Sequence, residues 1–296
     1  MARIVVTGSS GLIGTALVAA LRERGDEVVR LVRRAPSAAD EVRWDPASRH
    51  LDPAVLDDVD GVVNLAGAGV GDKRWTPAYK HTILASRTDS TTAVATAVAA
   101  ADHPVRLVSG SAVGYYGDRG DEELTEANPP GTGFLSDVVI AWEAAAAPAV
   151  EAGAPVAFAR TGIVMARNGG AMQPLLRLAR LGLGGPLGLG RQFWPWITLT
   201  DEVGALLHLL DHPEVTGPVN LCGPSPARQR DVAAALGRAL HRPALLPAPS
   251  PALRLVVGEF AGEILGSQRI VGDVLRESGY RHVHPDLDTA ARWLVA

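Results

Sequence analysis

The chain has 296 residues, of which 47% are hydrophobic and 20% charged, a composition typical of a folded globular protein. Its 28 basic and 32 acidic residues give a net charge of −4, which argues against a nucleic-acid partner. A single cysteine (Cys222), no long apolar run and an apolar N-terminus broken by glycines together predict a cytoplasmic protein with no disulfide and no membrane partner.

The first half of the sequence alternates short β-branched runs with longer stretches rich in Ala and Leu. This rhythm is typical of strand–helix units around a parallel sheet, and the continuous apolar character of the strands suits burial on both faces. We predict strands at residues 3–7, 27–33, 42–44, 61–65, 105–109 and 156–161. We predict helices at residues 11–24, 76–101 and 135–152.

After residue 165 Gly and Pro become frequent, and the Gly-rich stretch 181–190 cannot form one regular element. Shorter helical patterns follow at residues 200–210, 228–241, 253–265 and 287–295. We therefore predict a doubly wound α/β fold with a parallel, Rossmann-type sheet in residues 1–165. Residues 166–296 are predicted to form a smaller, mixed C-terminal region that covers the substrate and is not strictly contiguous.

A glycine-rich turn directly follows the first predicted strand and precedes the first predicted helix. Its glycines are spaced by three, which allows a tight turn, close approach to a pyrophosphate and close packing of helix on strand. The helix N-terminus adds free N–H groups and a favourable dipole. We predict a dinucleotide-binding site formed by Gly8, Ser9, Ser10, Gly11, Leu12, Ile13 and Gly14.

The end of the second predicted strand indicates which dinucleotide binds. An NAD-selective site places an acidic residue about 20 positions after the glycines. Arg33 and Arg34 stand there instead, and the next carboxylate is Asp40. Because paired guanidinium groups can bind the adenosine 2′-phosphate in a bidentate manner, we predict NADP as the cofactor.

Several motifs together resemble the extended short-chain dehydrogenase/reductases. They are the glycine turn, Asn64-Leu-Ala-Gly-Ala68 and Ser109-Gly-Ser-Ala-Val-Gly-Tyr-Tyr-Gly117. Further motifs resemble an atypical branch, the "epimerase family proteins", whose members end in a small C-terminal domain of unknown function. These motifs are Lys73-Arg-Trp-Thr76, Ser86-Arg87, Trp142-Glu143, Arg160-Thr-Gly-Ile-Val164 and Gly190-Arg-Gln-Phe-Trp-Pro-Trp-Ile197.

The resemblance implies where several residues lie around NADP. The three glycines would lie under the pyrophosphate. Strand ends would supply the remaining contacts, because ligands bind there in open α/β sheets. The residues implied along the adenosine and ribose are Leu65, Ala66 and Gly67, and those implied near the nicotinamide are Ser109, Ser111 and Arg160.

A substrate cleft is expected between these strand ends and the segment 191–196 of the C-terminal region, since such clefts favour domain junctions. Arg87, Arg191 and Gln192 are candidates for orienting an anionic or carbonyl-bearing substrate. Trp194 and Trp196 either form a wall of the cleft or pack inside the C-terminal region.

The sequence departs from the family at the position of the usual acid and base. Ordinary members carry a Tyr-x-x-x-Lys pair on the helix after the serine-containing strand, in which the lysine lowers the pKa of the tyrosine. Depending on register, Phe134 and Val138 or Leu135 and Val139 fill these positions, and none of them titrates. The remaining catalytic candidates are Ser111, Tyr116 and Lys80, with Tyr115 as an alternative to Tyr116.

We therefore expect an NADP(H)-dependent oxidoreductase that acts on an unidentified small molecule, with the oligomeric state left open. A nucleotide-sugar epimerase or dehydratase is the second hypothesis, which the family name favours and the missing Tyr and Lys disfavour. A non-catalytic regulator that senses NADP(H) is the third. No metal site is expected, because His208 and His212 have no third ligand and close a predicted helix.

Overall fold

The computed structural model describes residues 1–296 and contains one large sheet of seven parallel strands. The strands of the chain are β1 (Arg3–Thr7), β2 (Glu27–Val32), β3 (Glu41–Arg43), β4 (Gly61–Asn64), β5 (Arg106–Ala112), β6 (Glu123–Leu124), β7 (Val156–Thr161), β8 (Ile163–Met165), β9 (Phe193–Trp194), β10 (Trp196–Thr198), β11 (Gly217–Leu221), β12 (Ala227–Arg228) and β13 (Arg269–Ile270). Across the large sheet the order is β11-β7-β5-β4-β1-β2-β3, so the topology reverses between β4 and β1. The predicted doubly wound α/β fold is confirmed, and it places a ligand cleft beyond the strand ends at this reversal.

Helices cover both faces of the sheet. The helices of the chain are α1 (Leu12–Arg24), α2 (Pro77–Ala99), α3 (Phe134–Ala144), α4 (Ala147–Glu151), α5 (Met172–Arg180), α6 (Leu199–Asp211), α7 (Gln229–Leu240), α8 (Ser250–Val257), α9 (Ala261–Leu265), α10 (Asp273–Glu277) and α11 (Leu287–Val295). One face packs against α1 and α6, through Leu17, Leu206 and Leu209. The other face packs against α2 and α4, through Val94 and Ala149. None of the helices combines the length and the hydropathy needed to cross a membrane.

Two predicted helices are each divided in the structure. The helix expected at residues 135–152 is α3 and α4, and Pro148 lies in the first turn of α4, where its missing N–H group is tolerated. The helix expected at 253–265 is α8 and α9, separated by a short turn that begins at Gly258 with φ of +68°. In both cases a residue that breaks helices stands inside a pattern that is otherwise helical.

The sheet continues beyond the boundary predicted at residue 165. Strand β11 pairs in parallel with β7, and α6 lies beside α1 on the same face, so residues 199–221 belong to the sheet domain. The prediction of residues 1–165 falls short because β11 reads Gly-Pro-Val-Asn-Leu, and Gly, Pro and Asn are all uncommon in strands.

The remaining C-terminal residues have a core of their own, which includes Met172 of α5, Leu236 of α7 and Leu294 of α11. The segment from α8 to α9 reaches back to the sheet domain and lies against the start of α2. The rings of Phe260 and Trp75 are 5.4 Å apart, and the ammonium of Lys80 is 2.5 Å from a carboxylate oxygen of Glu259. The C-terminal region thus contacts the edge of the sheet domain at which the strands end.

Candidate functional site

The turn between β1 and α1 brings backbone very close to backbone. Gly8 has a φ of +62°, and a Cβ there would lie 2.5 Å from the carbonyl oxygen of Leu65. A Cβ on Gly14 would lie 2.2 Å from the carbonyl oxygen of Gly8. Both distances are far inside van der Waals contact, so only glycine fits these positions. The turn therefore has the tight backbone cradle that a dinucleotide pyrophosphate requires.

The first turn of α1 leaves its N–H groups free at this cradle. Gly11 is the N-cap, has no side chain to accept from them, and is followed by no acidic residue in the first turn. Free donors and the positive end of the helix dipole together favour an anion. The other predicted residues of the turn, Ser9, Ser10, Leu12 and Ile13, lie between Gly8 and Gly14 in the same cradle.

The loop after β4 is fixed on the glycine turn by one hydroxyl. Oγ1 of Thr7 accepts hydrogen bonds from the backbone N–H groups of Leu65 and Ala66, each at 3.0 Å. It also donates to Oδ1 of Asn64 at 2.6 Å. Leu65 and Ala66 thus border the cradle, with Gly67 next along the loop, and their role along the ribose stays a prediction.

The two arginines predicted to bind a 2′-phosphate differ in their surroundings. Arg34 donates from Nη1 and Nη2 to the two carboxylate oxygens of Glu41, at 2.8 and 2.6 Å. These hydrogen bonds lower the pKa of Glu41 to about 2. Arg33 is exposed and has no ion pair. The structure therefore corrects the expected two-arginine clamp, because Arg34 is already bound by a carboxylate and Arg33 alone is free to meet a phosphate.

At the carboxyl ends of β5 and β7, Ser111 and Arg160 share the carboxylate of Glu143 on α3. Oγ of Ser111 donates to Oε1 of Glu143 at 2.6 Å. Nε and Nη2 of Arg160 donate to Oε1 and Oε2 of Glu143, each at 2.8 Å. Since the proton of Ser111 is directed to Glu143, its oxygen can offer only lone pairs to a ligand.

Tyr116 is not available as an acid or base for a substrate. Its side chain is completely buried, its hydroxyl donates to Oδ1 of Asn220 at 2.8 Å, and it accepts from Nη1 of Arg160 at 2.9 Å. Burial raises the pKa of Tyr116 to about 12. The predicted catalytic role of Tyr116 is therefore corrected: it holds Arg160 in place from behind. Tyr115 also packs against Arg160, with the guanidinium carbon 3.5 Å from the ring centre.

Ser109 and Lys80 also differ from their predicted roles. Ser109 is completely buried, and its hydroxyl donates to the carbonyl of Gly110 at 3.3 Å, so the hydroxyl is used inside the sheet. A strand residue two positions before Ser111 lies deeper in the sheet, which explains the difference. Lys80 lies on α2 with its ammonium 4.9 Å from the ring centre of Phe134 and paired with Glu259. Its charge is thus compensated within the protein.

The register of α3 against the serine strand is now defined. A Cβ added to Gly114, just after β5, would lie 3.3 Å from Cβ of Leu135 and 3.9 Å from a methyl of Val139. Phe134 packs instead against Trp75, with ring centres 4.9 Å apart. Leu135 and Val139 therefore face the serine loop, and neither side chain titrates.

The segment 191–196 reaches the strand ends but contributes few side chains to them. The carbonyl of Pro195 accepts from the N–H of Ile163 at 2.6 Å, next to Arg160. Gln192 and Trp194 are buried in the C-terminal region, where both donate to the carbonyl of Ile264. The indole of Trp196 donates to Ser225. Of the two interpretations open for the tryptophans, packing inside the C-terminal region is the one observed.

Sequence reasoning missed two carboxylates of the site. Glu143 belongs to the motif Trp142-Glu143, but nothing in the sequence shows that its carboxylate contacts both Ser111 and Arg160. Glu202, at the start of α6, is completely buried, accepts from Oγ1 of Thr161 at 2.7 Å, and has no partner for Oε2. Burial raises the pKa of Glu202 to about 8. An acidic residue in the first turn of a helix is ordinarily solvated, so no signal marked this one.

Comparison with known families matches two parts of the chain. Residues 4–222 match the "NAD dependent epimerase/dehydratase family". Residues 248–294 match a "Domain of unknown function (DUF1731)". The epimerase family protein Mb2239 of Mycobacterium bovis is 43% identical over 288 residues, which span 97% of this chain and 95% of that protein. The human epimerase family protein SDR39U1 is 37% identical over 99% of this chain and 100% of its own.

Two solved structures share the fold and are also similar in sequence, at 34% and 33% identity. Human epimerase family protein SDR39U1 (isoform 2), solved with NADPH, superposes with a TM-score of 0.91 at 34% identity, over 99% of both chains. A nucleoside-diphosphate sugar epimerase from Corynebacterium glutamicum gives a TM-score of 0.82 at 33% identity, over 99% of this chain and 58% of that one.

Proposed function

The chain belongs to the NAD dependent epimerase/dehydratase family, and on that premise we propose that it is an NADP(H)-dependent oxidoreductase of the extended short-chain type that acts on a small molecule. The observation that carries the proposal is the pairing of a dinucleotide cradle with a hydrogen-bonded polar group, Ser111 with Glu143, at the neighbouring strand ends. The family resemblance expected from the sequence is confirmed, including the C-terminal domain of unknown function.

The residues of the cradle fit NADP(H). The glycine turn from Gly8 to Gly14 would hold the pyrophosphate, and the loop at Leu65 would border the ribose. Arg33, free of any carboxylate, would meet the 2′-phosphate. The relative solved with NADPH supports this choice of cofactor. When bound, NADP(H) supplies a hydride donor or acceptor, which is the chemistry that an oxidoreductase needs.

Ser111 and Glu143 would transfer the proton of the substrate. Because Oγ of Ser111 gives its own hydrogen to Glu143, it accepts a hydrogen bond from a substrate hydroxyl or amine. During oxidation Oγ would receive the substrate proton while its own proton moves to Oε1 of Glu143. Reduction would run in reverse. Arg160 keeps the carboxylate in position for both directions.

The test is a screen for NADP(H)-dependent turnover, with the wild type compared with Ser111→Ala and Glu143→Gln. We expect turnover to fall by about 10²–10⁴-fold in Ser111→Ala, the usual contribution of a positioned proton-transfer group. Ser48→Ala, at an exposed position, is the control and leaves turnover unchanged. Turnover that survives in Ser111→Ala would refute this role for Ser111.

Sugar-nucleotide epimerisation is a second candidate function. It is favoured by the 33% identical protein from Corynebacterium glutamicum, which is described as a nucleoside-diphosphate sugar epimerase. The face of α3 that carries Leu135 and Val139 argues against it, since no phenol or ammonium stands there. Incubation with UDP-sugars and cofactor separates the two candidates: epimerised sugar supports the second, and net change in the redox state of the cofactor supports the first.

A further inference from the structure

Arg87 is a partly buried arginine whose charge the protein does not compensate. It lies on α2, and Nη1 donates to the carbonyls of Ala68 and Ile83, at 2.9 and 3.0 Å. No carboxylate lies within 4 Å of it, whereas Lys80 is paired with Glu259 and Arg160 with Glu143. Burial lowers the pKa of Arg87 to about 10, which shows that the surroundings disfavour an isolated cation.

A second buried arginine shows what a purely structural role requires. Arg106 likewise has no carboxylate partner, but all three of its guanidinium nitrogens are used. Its Nε, Nη1 and Nη2 donate to the carbonyls of Leu209, Pro155, Pro213 and Val215. In Arg87 only Nη1 donates to the protein. Nε and Nη2 have no partner in the protein and are not fully buried, so solvent reaches them.

The free edge of Arg87 has a defined geometry. Nε–H and one Nη2–H of a guanidinium are parallel, and this edge accepts a carboxylate or phosphate through two hydrogen bonds. Arg160 uses the same edge to hold Glu143. The remaining nitrogen of Arg87 is anchored, and its guanidinium carbon lies 5.0 Å from the ring centre of Trp142, so the fork is fixed in direction.

Arg87 lies beside the loop that follows β4. A Cβ on Gly67, at the end of the loop after β4, would lie 3.2 Å from the guanidinium carbon. Trp142, below Arg87, packs on Gly110 of β5. The fork is therefore placed beside β4 and β5, whereas Arg33 follows β2 on the other side of the topological reversal.

We propose that Arg87 is the binding group for an anionic substituent, a carboxylate or a phosphate, on the small-molecule substrate. This inference rests on the proposed function and narrows it to anionic substrates. It favours Arg87 over Arg191 and Gln192, the other two residues that the sequence analysis names as candidates for orienting the substrate. The pyrophosphate and 2′-phosphate of the cofactor already have the glycine turn and Arg33, so the Arg87 fork is left for a second ligand.

The test measures the melting temperature of the NADPH-saturated protein in increasing inorganic phosphate or acetate, with chloride keeping the ionic strength constant. We expect a saturable rise for the wild type. In Arg87→Met the dissociation constant of the anion should increase about tenfold or more, because a charge-assisted fork is lost. Arg87→Lys should bind more weakly than wild type because it keeps the charge without the fork. Arg43→Met, at an exposed arginine without an ion pair, should respond as wild type.

Stability without added anion distinguishes ligand binding from a structural role. Arg87→Met should melt no lower than wild type, since it removes an uncompensated charge, while Arg106→Met should melt clearly lower. If the melting temperature of Arg87→Met falls as far as that of Arg106→Met, the proposal is wrong. It is also wrong if added anion does not raise the melting temperature of the wild type, or if the rise is unchanged in Arg87→Met. If phosphate competes with NADPH, or Arg87→Met weakens NADPH binding, the anion belongs to the cofactor and the substrate assignment is overturned. Failure of the wild type to bind NADPH would instead refute the proposed function itself.

Discussion

Oγ of Ser111 donates a hydrogen bond of 2.6 Å to Oε1 of Glu143, across the gap between β5 and α3. This contact determines what the strand-end serine can do, because a hydroxyl has one proton and here a carboxylate holds it. In the proposed function the serine therefore acts on a ligand as a hydrogen-bond acceptor, with the carboxylate of Glu143 behind it. Glu143 lies one helical turn after Val139 on α3, so the proposed proton path lies one turn beyond the two positions at which related enzymes carry their tyrosine and lysine.

Glu143→Gln should lower the free energy of unfolding substantially. The side chains of Glu143 and Arg160 are 14% and 3% exposed, so the variant leaves a buried guanidinium without its counter-charge. Removing one partner of such a pair costs about 3–5 kcal/mol. Urea denaturation measures the change, with Glu259→Gln as control, where the exposed pair with Lys80 should contribute at most about 1 kcal/mol. Equal effects in the two variants would contradict this assignment of burial and pairing.

Arg33 should determine the preference for NADPH over NADH. Arg33→Ala removes the free guanidinium and should reduce the difference in binding free energy by about 1–3 kcal/mol, the scale of a charge-assisted hydrogen bond. Arg34→Ala should change it less, because Arg34 is bound to Glu41. Calorimetric titration with both cofactors gives the comparison. A larger loss in Arg34→Ala than in Arg33→Ala would show that Glu41 releases its partner when the cofactor binds.

Glu202 should make the stability depend on pH. Burial raises its pKa from 4.5 to about 8, against the opposing hydrogen bond from Thr161. Between these two values the folded protein holds a proton that the unfolded chain has released. Stability should therefore fall by about 1.4 kcal/mol per pH unit through this window and level off above it.

Glu202→Gln removes this dependence and keeps the acceptor for Thr161. Relative to wild type, the variant should gain stability steadily from pH 5 to pH 8. Urea denaturation at pH 5, 7 and 9 follows the difference. A difference that stays constant over this range would mean that Glu202 titrates normally in the folded protein.

Installing the usual dyad should not raise the proposed NADP(H)-dependent turnover. Val139 is 3% exposed and packs against Gly114, so Val139→Lys buries an ammonium and should cost several kcal/mol of stability. Leu135→Tyr together with Val139→Lys should give no gain in NADP(H)-dependent turnover, since the proposed proton path runs through Ser111 and Glu143. Leu135→Phe is the control for added volume. A gain of tenfold or more in the double variant would show that the acid belongs at position 135 and not at Ser111 and Glu143.

The cofactor half of the site could be predicted from the sequence because its signal is local. Gly8, Gly11 and Gly14 stand at fixed spacing between a strand and a helix, and backbone geometry alone dictates what they do. Strand β7 was likewise predicted with its observed bounds, since a continuous apolar run has few alternatives. Strand β11 was not, because its Gly and Pro contradict the pattern and only its pairing with β7 makes it a strand.

The catalytic half could not be predicted because it depends on contacts distant in sequence. Tyr116 and Arg160 are 44 positions apart, and only folding shows that the phenol is buried against the guanidinium. Whether Arg34 or Arg33 is free depends on Glu41, seven positions further on in a neighbouring strand. A charged residue in a sequence does not reveal its counter-ion, and at this site the counter-ion decides the role.

The most direct test of the central claim follows a hydride. NADPH deuterated at both C4 positions is incubated with the wild-type protein and a small-molecule metabolite extract, and mass spectrometry locates the label. The account predicts that deuterium moves from the cofactor to a small molecule, and that this transfer is lost in Ser111→Ala while NADPH still binds. Deuterium that stays on the cofactor in the wild type, or appears equally in the products of Ser111→Ala, would contradict it.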